Sequence, residues 1–277
     1  MNALSLVLGA GGARGLPHIH ALRAFDELGI KPAVIAGSSI GSILGASYCA
    51  GMTAEAIEAH VRDSFDDRVQ LVTKAFQVRP ESVKRFFADG GLRIGEFNLE
   101  TILSVFLPDA IPETFEDLSI PLKVIATDYY SACTKVFASG PLMAPIAASS
   151  AIPAVFLPVQ IDGRYYIDGG ITDPCPMDCV RRQNNPMLAI DVTGGPSGDP
   201  DVRPGKVEAA YTANQILQLS IVKANARQNP DVVVLRPAVN SYRALDFLKV
   251  AEILNHTADF KDVVKRQIDI LMNDDDN

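Results

Sequence analysis

Short apolar runs that end in glycine and alternate with helical segments constrain the fold of this chain more than any other feature. The first run, Leu4–Leu8, ends in glycines, and His18–Leu28 then places apolar residues at helical spacing before Gly29. Further strands are predicted at residues 33–36, 122–126, 135–138, 156–161, 165–167, 187–192 and 232–235. Between and after them, helices are predicted at residues 39–50, 53–64, 207–224 and 246–271. Strands that alternate with helices favour an α/β layer fold with a mainly parallel sheet.

The composition fits one globular domain and excludes several classes of protein. Of the 277 residues, 48% are hydrophobic and 21% are charged, which excludes disorder and coiled coil as descriptions of the whole chain. The formal net charge of −8 argues against a nucleic-acid partner, because phosphate binding depends on basic side chains. Four cysteines are too few for a disulfide scaffold, so a cytoplasmic protein is expected. We predict a single domain over residues 1–277, in which residues 193–277 complete the motif-bearing part at residues 4–192.

A glycine-rich loop, Gly9–Gly15, joins the first predicted strand to the first helix. It fails the dinucleotide fingerprint Gly-x-Gly-x-x-Gly, because counting from Gly9 puts Arg14 where the third glycine is required. The loop offers several backbone N–H groups at a helix N-terminus, which can stabilise a phosphate or a developing oxyanion. A tight turn that merely requires glycine explains the same residues, so the loop alone leaves both interpretations open.

A Gly-x-Ser-x-Gly pattern, Gly37–Gly41, stands at a predicted strand-to-helix junction. Its two glycines permit a strained turn and leave room for a substrate beside the Ser39 hydroxyl. Helix capping by serine is the competing interpretation. A nucleophilic serine needs a base: one candidate is His256, late in the chain, and the other is a carboxylate held close to the serine in a dry site.

Asp168 ends a predicted strand and stands directly before Gly169 and Gly170. On its own, Asp-Gly-Gly indicates a turn. Taken together and in this order, however, the glycine-arginine loop, the serine motif and Asp-Gly-Gly resemble the patatin-like phospholipase family. The block Ala148–Pro153 adds to the resemblance, which covers about residues 4–192.

The resemblance implies a patatin-like, three-layer α/β/α sandwich and a Ser-Asp dyad without histidine. It implies Ser39 as the nucleophile, Asp168 as the general base, and the N–H groups of Gly11 and Gly12 as the oxyanion hole, with Arg14 anchoring that loop. The motif glycines that would support these groups are Gly37, Gly41 and Gly169. An acyl ester would acylate Ser39, and a water activated by Asp168 would release the fatty acid.

The chain departs from the usual family pattern at three places. Ala10 replaces the first glycine of a Gly-Gly-Gly run, and Ala147 replaces a basic residue before the Ala-Ser block. Ile171–Pro176 follows Asp-Gly-Gly where the family often has an asparagine-rich turn. These differences concern the shape of the pocket more than the dyad.

No metal and no cofactor are expected. Cys175 and Cys179 have no histidine nearby in sequence and are expected to be structural thiols rather than zinc ligands, and no acidic cluster resembles a calcium loop. Basic and aromatic residues around Lys84 and Arg85 are predicted to make a peripheral membrane contact.

The sequence therefore predicts a serine acyl hydrolase of the lipase or phospholipase type that cleaves fatty-acyl esters of phospholipids or lysophospholipids. Two alternatives stay open. One is a carboxylesterase or thioesterase acting on small soluble esters, and the other is a non-catalytic protein that binds an anion or a partner through the glycine loop. No oligomeric state follows from the sequence.

Overall fold

The computed structural model describes residues 4–64, 107–153, 155–180, 185–196 and 199–273. The predicted membrane contact around Lys84 and Arg85 lies outside these residues. One sheet contains the strands β1 Ser5–Leu8, β2 Val34–Ser38, β3 Leu122–Asp128, β4 Cys133–Phe137, β5 Val159–Ile161, β6 Arg164–Asp168, β7 Met187–Ile190 and β8 Val232–Leu235. The helices are α1 His18–Leu28, α2 Ile40–Cys49, α3 over residues 54–64, α4 Met143–Ser149, α5 Lys206–Gln228, α6 Val250–His256 and α7 Phe260–Asn273.

Five strands of the sheet run parallel in the order β3-β2-β1-β7-β8, which confirms the predicted mainly parallel sheet. The other three strands, β4, β5 and β6, pair antiparallel. Asp162 and Gly163 join β5 to β6 with φ of 49° and 77°, as a two-residue hairpin turn requires. No helix in the described part of the chain is long and apolar enough to cross a membrane.

Two strands share one edge of β3 and meet end to end. Ile125 of β3 pairs with Ser38 of β2, and the next residue, Ala126, pairs with Asp168 of β6. Because Ala126 also pairs with Lys135, β4 must occupy the opposite edge of β3. The carboxyl ends of β2 and β6 therefore face each other, and this junction places the candidate site.

Helices cover both faces of the sheet. Leu6 and Leu8 of β1 lie in the larger core, which also contains apolar side chains of α1, α2, α4, α6 and α7. Val7, between them, points into a smaller core with Val222 of α5. Alternation along the strand thus produces two cores, and the expected three-layer α/β/α sandwich is confirmed.

The C-terminal helix differs from the prediction of one helix over residues 246–271. It is divided into α6 and α7, with residues 257–259 between them. The Thr257 hydroxyl donates to the Ile253 carbonyl oxygen at 2.8 Å, and a side-chain bond of this kind competes with continued helical hydrogen bonding.

Candidate active site

Ser39 lies on the turn between β2 and α2 with a φ of 55° and a ψ of −124°. This positive φ is strained for a residue with a side chain, at a cost of about 1–3 kcal/mol. Gly41 makes the turn possible, since a Cβ there would lie 2.1 Å from the Leu8 carbonyl oxygen. Two hydrogen bonds fix the turn: Ser39 N donates to Ser149 Oγ at 2.9 Å, and Ser42 Oγ donates to Ser39 O at 2.7 Å.

Asp168, at the end of β6, lies next to the serine. Ser39 Oγ donates to Asp168 Oδ2 at 2.6 Å, and Gly170 N donates to the other carboxyl oxygen at 2.8 Å. The carboxyl is buried, and this burial raises its pKa from 3.8 to about 6, although the two hydrogen bonds oppose the shift. A carboxylate with a pKa close to neutral can take a proton from a bound hydroxyl and return it.

The glycine loop faces the same space with unused donors. The N–H groups of Ala10 and Ala13 each donate to a carbonyl oxygen of another segment at 2.7 Å. Between them, the N–H groups of Gly11 and Gly12 donate no hydrogen bond to the residues that the structure describes. Two adjacent free N–H groups at the start of a helical turn can hold an oxyanion.

Arg14 is almost fully buried behind this loop. Its Nε lies 3.4 Å from the Gly11 carbonyl oxygen, and with the Gln215 amide oxygen turned towards it the guanidinium donates to Gln215 of α5. Gly194 leaves room for the guanidinium, because a Cβ there would lie 2.4 Å from Arg14 Nη1. The side chain thus connects the glycine loop to α5.

A cavity of about 420 Å³ is lined by Ser39, Asp168 and the glycine loop. Its apolar lining residues include Ile152, Pro153, Val155, Ile171 and Leu245. Its amide side chains come from α5: Asn214, Gln215 and Gln218. The sequence analysis missed these amides, although the spacing of Ala210, Asn214 and Gln218 places them along one helix stripe.

The two other motif glycines allow close backbone packing. A Cβ on Gly37 would lie 2.4 Å from the Gly41 carbonyl oxygen, and one on Gly169 would lie 2.2 Å from that of Ile125. The structure thus places all the predicted site residues at the junction of β2, β6 and the glycine loop.

The histidine candidate lies elsewhere. His256 is exposed at the end of α6, edge-on to Tyr242 at 5.8 Å between ring centroids, and does not line the cavity. His18, which the sequence analysis did not assign, is buried with its Nε2 2.9 Å from the Gly9 carbonyl oxygen. Burial lowers the pKa of His18 to about 4, so this neutral side chain holds the start of the glycine loop.

Cys175 is buried and Cys179 is partly buried, and burial raises the pKa of both thiols. In the parts of the chain that the structure describes, no three His, Cys, Asp or Glu side chains are arranged to hold a metal ion.

The fold and the site define an α/β protein in which a serine on a strained strand-to-helix turn lies beside a buried carboxyl. The family model described as patatin-like phospholipase matches residues 6–180, and the chain belongs to that family. The resemblance drawn from the sequence motifs is therefore confirmed.

Three comparisons give the range of similarity. An uncharacterized NTE family protein of Mycobacterium tuberculosis is 35% identical over 196 residues, which cover 70% of this chain and 50% of that protein. Patatin-like phospholipase domain-containing protein 7 of Rattus norvegicus is 29% identical over 277 residues, covering 91% of this chain and 20% of that protein. The crystal structure of VipD from Legionella pneumophila has a TM-score of 0.48 at 13% identity and covers 96% of this chain and 67% of VipD. The chain spans at most about half the length of these two curated relatives.

Proposed function

We propose that this protein is a serine acyl hydrolase that cleaves fatty-acyl esters of phospholipids or lysophospholipids. One observation carries the proposal: Ser39 Oγ donates to Asp168 Oδ2 at 2.6 Å inside a largely apolar cavity. Membership of the patatin-like phospholipase family supports a lipid acyl ester as the substrate.

In the first half of the reaction, Ser39 Oγ attacks the acyl carbonyl carbon while its proton passes to Asp168 Oδ2. The carbonyl oxygen becomes an oxyanion, and the N–H groups of Gly11 and Gly12 stabilise it. When the tetrahedral intermediate collapses, the alcohol leaves with the proton held by Asp168, and the acyl group stays on Ser39.

In the second half, water takes the place of the alcohol. Asp168 accepts a proton from the water, whose oxygen attacks the acyl-serine ester. The fatty acid leaves, and Ser39 regains its proton from Asp168. Burial suits the carboxyl to this exchange, because its pKa of about 6 leaves it ionised at neutral pH yet able to hold a proton transiently.

The test combines labelling of the serine with lipid hydrolysis. Wild type and the variants Ser39→Ala, Asp168→Asn and Ser38→Ala are treated with a fluorophosphonate and assayed for fatty-acid release from phosphatidylcholine. Ser38→Ala is the matched control, because its buried hydroxyl has no hydrogen-bond partner among the described residues. We expect Ser39→Ala to lose labelling and release, Asp168→Asn to lose most of both, and Ser38→Ala to keep both.

Other results would reassign the function. Labelling or fatty-acid release that persists in Ser39→Ala would refute the dyad. Hydrolysis of a dissolved short-chain ester without release from phospholipid would favour the esterase alternative. A folded wild-type protein that neither labels nor hydrolyses either substrate would favour the non-catalytic alternative.

A further inference from the structure

Several segments that line the cavity also carry exposed leucines. Three of the segments that line this cavity each carry a leucine in solvent: Leu157 is 61% exposed, Leu217 64% and Leu245 54%. Leu157 follows the lining residue Val155 by two positions, and Leu217 is one helical turn beyond the lining residue Asn214. A single exposed leucine is common on a protein surface, but several exposed leucines near one cavity indicate an interaction site.

The segment at residues 243–249 adds a fourth leucine and two cations. Leu248 is 78% exposed, and Arg243 and Lys249 are exposed on either side of the two leucines. Asp246 shapes the segment, since its carboxylate accepts from Arg243 N at 3.0 Å and lies 3.7 Å from Lys249 Nζ. Apolar tips between basic side chains are typical of a contact with a bilayer that contains anionic lipid.

The same segment is bonded to the glycine loop. The carbonyl oxygen of Ala244 accepts from Ala13 N at 2.7 Å, and a Cβ on Gly12 would lie 2.2 Å from that oxygen. Leu245 and Leu248 therefore belong to a segment that is hydrogen-bonded to the loop that presents the N–H groups of Gly11 and Gly12.

We propose that this rim docks the protein onto a phospholipid bilayer with the cavity facing the lipid. The rim consists of Leu157, Leu217, Leu245 and Leu248, with Arg243 and Lys249. The inference rests on the proposed function for its substrate, while its own evidence is the position and chemistry of the rim. A protein partner seated on this rim would close the cavity, whereas a lipid surface supplies the substrate. The net charge of −8 opposes binding to an anionic surface, and Arg243 and Lys249, partly offset by Asp246, put local positive charge on this face.

The test separates docking from hydrolysis. Leu248→Asp and Leu157→Asp are compared with wild type for co-sedimentation with phosphatidylcholine–phosphatidylglycerol vesicles, for fatty-acid release from the same vesicles, and for hydrolysis of a dissolved short-chain ester. Ile270→Asp is the matched control: it puts the same charge on a side chain of α7 that is 50% exposed and does not line the cavity. Thermal melts confirm that each variant is folded.

We expect each rim variant to lose about tenfold in vesicle binding and vesicle hydrolysis, because an ionised side chain does not enter the acyl region. Hydrolysis of the dissolved ester is expected to stay at the wild-type rate, and the control to change in neither assay. Vesicle binding that is unaffected in both rim variants would overturn the proposal, as would an equal loss on the dissolved ester. A wild type without hydrolytic activity would refute the proposed function, and vesicle binding of the variants would still decide the docking proposal.

Discussion

Replacing Asp168 by asparagine is expected to remove activity and yet make the protein more stable at neutral and alkaline pH. Burial raises the pKa of this carboxyl from 3.8 to about 6 in the folded protein, despite the hydrogen bonds from Ser39 and Gly170. A raised pKa means that the folded state holds the proton more tightly than the unfolded state does. As the pH rises from about 3.8 to about 6, ionisation therefore favours the unfolded chain. The full loss of unfolding free energy is present above pH 6.

The size of the effect follows from the shift. A change of about two pKa units corresponds to about 3 kcal/mol of unfolding free energy when both states are ionised. At pH 4.5 the folded carboxyl is still protonated, whereas the unfolded one is largely ionised. The pKa values of about 6 and 3.8 then correspond to a loss of about 1 kcal/mol of unfolding free energy. Asparagine avoids this cost, because its side-chain oxygen can accept the Gly170 N–H without ever carrying a charge.

The assay measures urea unfolding of wild type and Asp168→Asn at pH 8 and at pH 4.5, with circular dichroism as the probe. The variant is expected to be more stable by about 3 kcal/mol at pH 8 and by about 1 kcal/mol at pH 4.5. Asp201→Asn is the matched control, since it makes the same change at an exposed residue. Equal stability of variant and wild type at pH 8, or a difference that does not depend on pH, would refute the reasoning.

Three further predictions concern activity. The rate of fluorophosphonate labelling is expected to rise with pH around a midpoint near 6, because only the ionised form of Asp168 accepts the serine proton; a rate independent of pH would contradict this assignment. Gly12→Ala is expected to lower fatty-acid release about 100-fold, because the added methyl would displace the Ala244 carbonyl and disturb the N–H groups proposed as the oxyanion hole. An unchanged release by this variant, with an unchanged melting temperature, would exclude the loop as the oxyanion hole. His256→Ala is expected to keep full labelling and release, since the ring does not line the cavity, and loss of either would favour a conventional triad instead.

The elements that sequence reasoning placed well are those with a local signal. Gly29 ends α1 with a φ of 66°, as a glycine after an amphipathic helix predicts. The helix predicted over residues 53–64 begins with Thr53 as its cap, since Thr53 Oγ1 accepts from Ala56 N at 3.2 Å. The Gly-x-Ser-x-Gly motif at a predicted strand-to-helix junction likewise indicated the strained turn at Ser39, although helix capping explained the same residues.

The features that the sequence did not reveal depend on contacts between distant segments. The amide side chains that line the cavity come from α5. Nothing in the sequence of residues 206–228 indicates which face of this helix lies towards Ser39 and Asp168. The sequence around Ala244 likewise does not indicate that its carbonyl oxygen accepts a hydrogen bond from Ala13 N at 2.7 Å. His18 resembles any polar residue on a helix until its ring is found against the Gly9 carbonyl oxygen. Periodicity reports which face of an element is buried, but not its partner.

The topology explains how the Asp168 carboxyl reaches Ser39 directly, as the proposed dyad requires. Ser38 and Asp168 pair with consecutive residues on the same edge of β3, so backbone hydrogen bonding alone brings the two strand ends together. Ser39 follows directly, and its hydroxyl is 2.6 Å from the carboxylate although both side chains are short. A base on a more distant loop would need a longer side chain, such as histidine, to cover the gap. The register of β2 and β6 on β3 therefore places the Ser39 hydroxyl within hydrogen-bonding distance of Asp168, and the proposed Ser-Asp mechanism depends on this register.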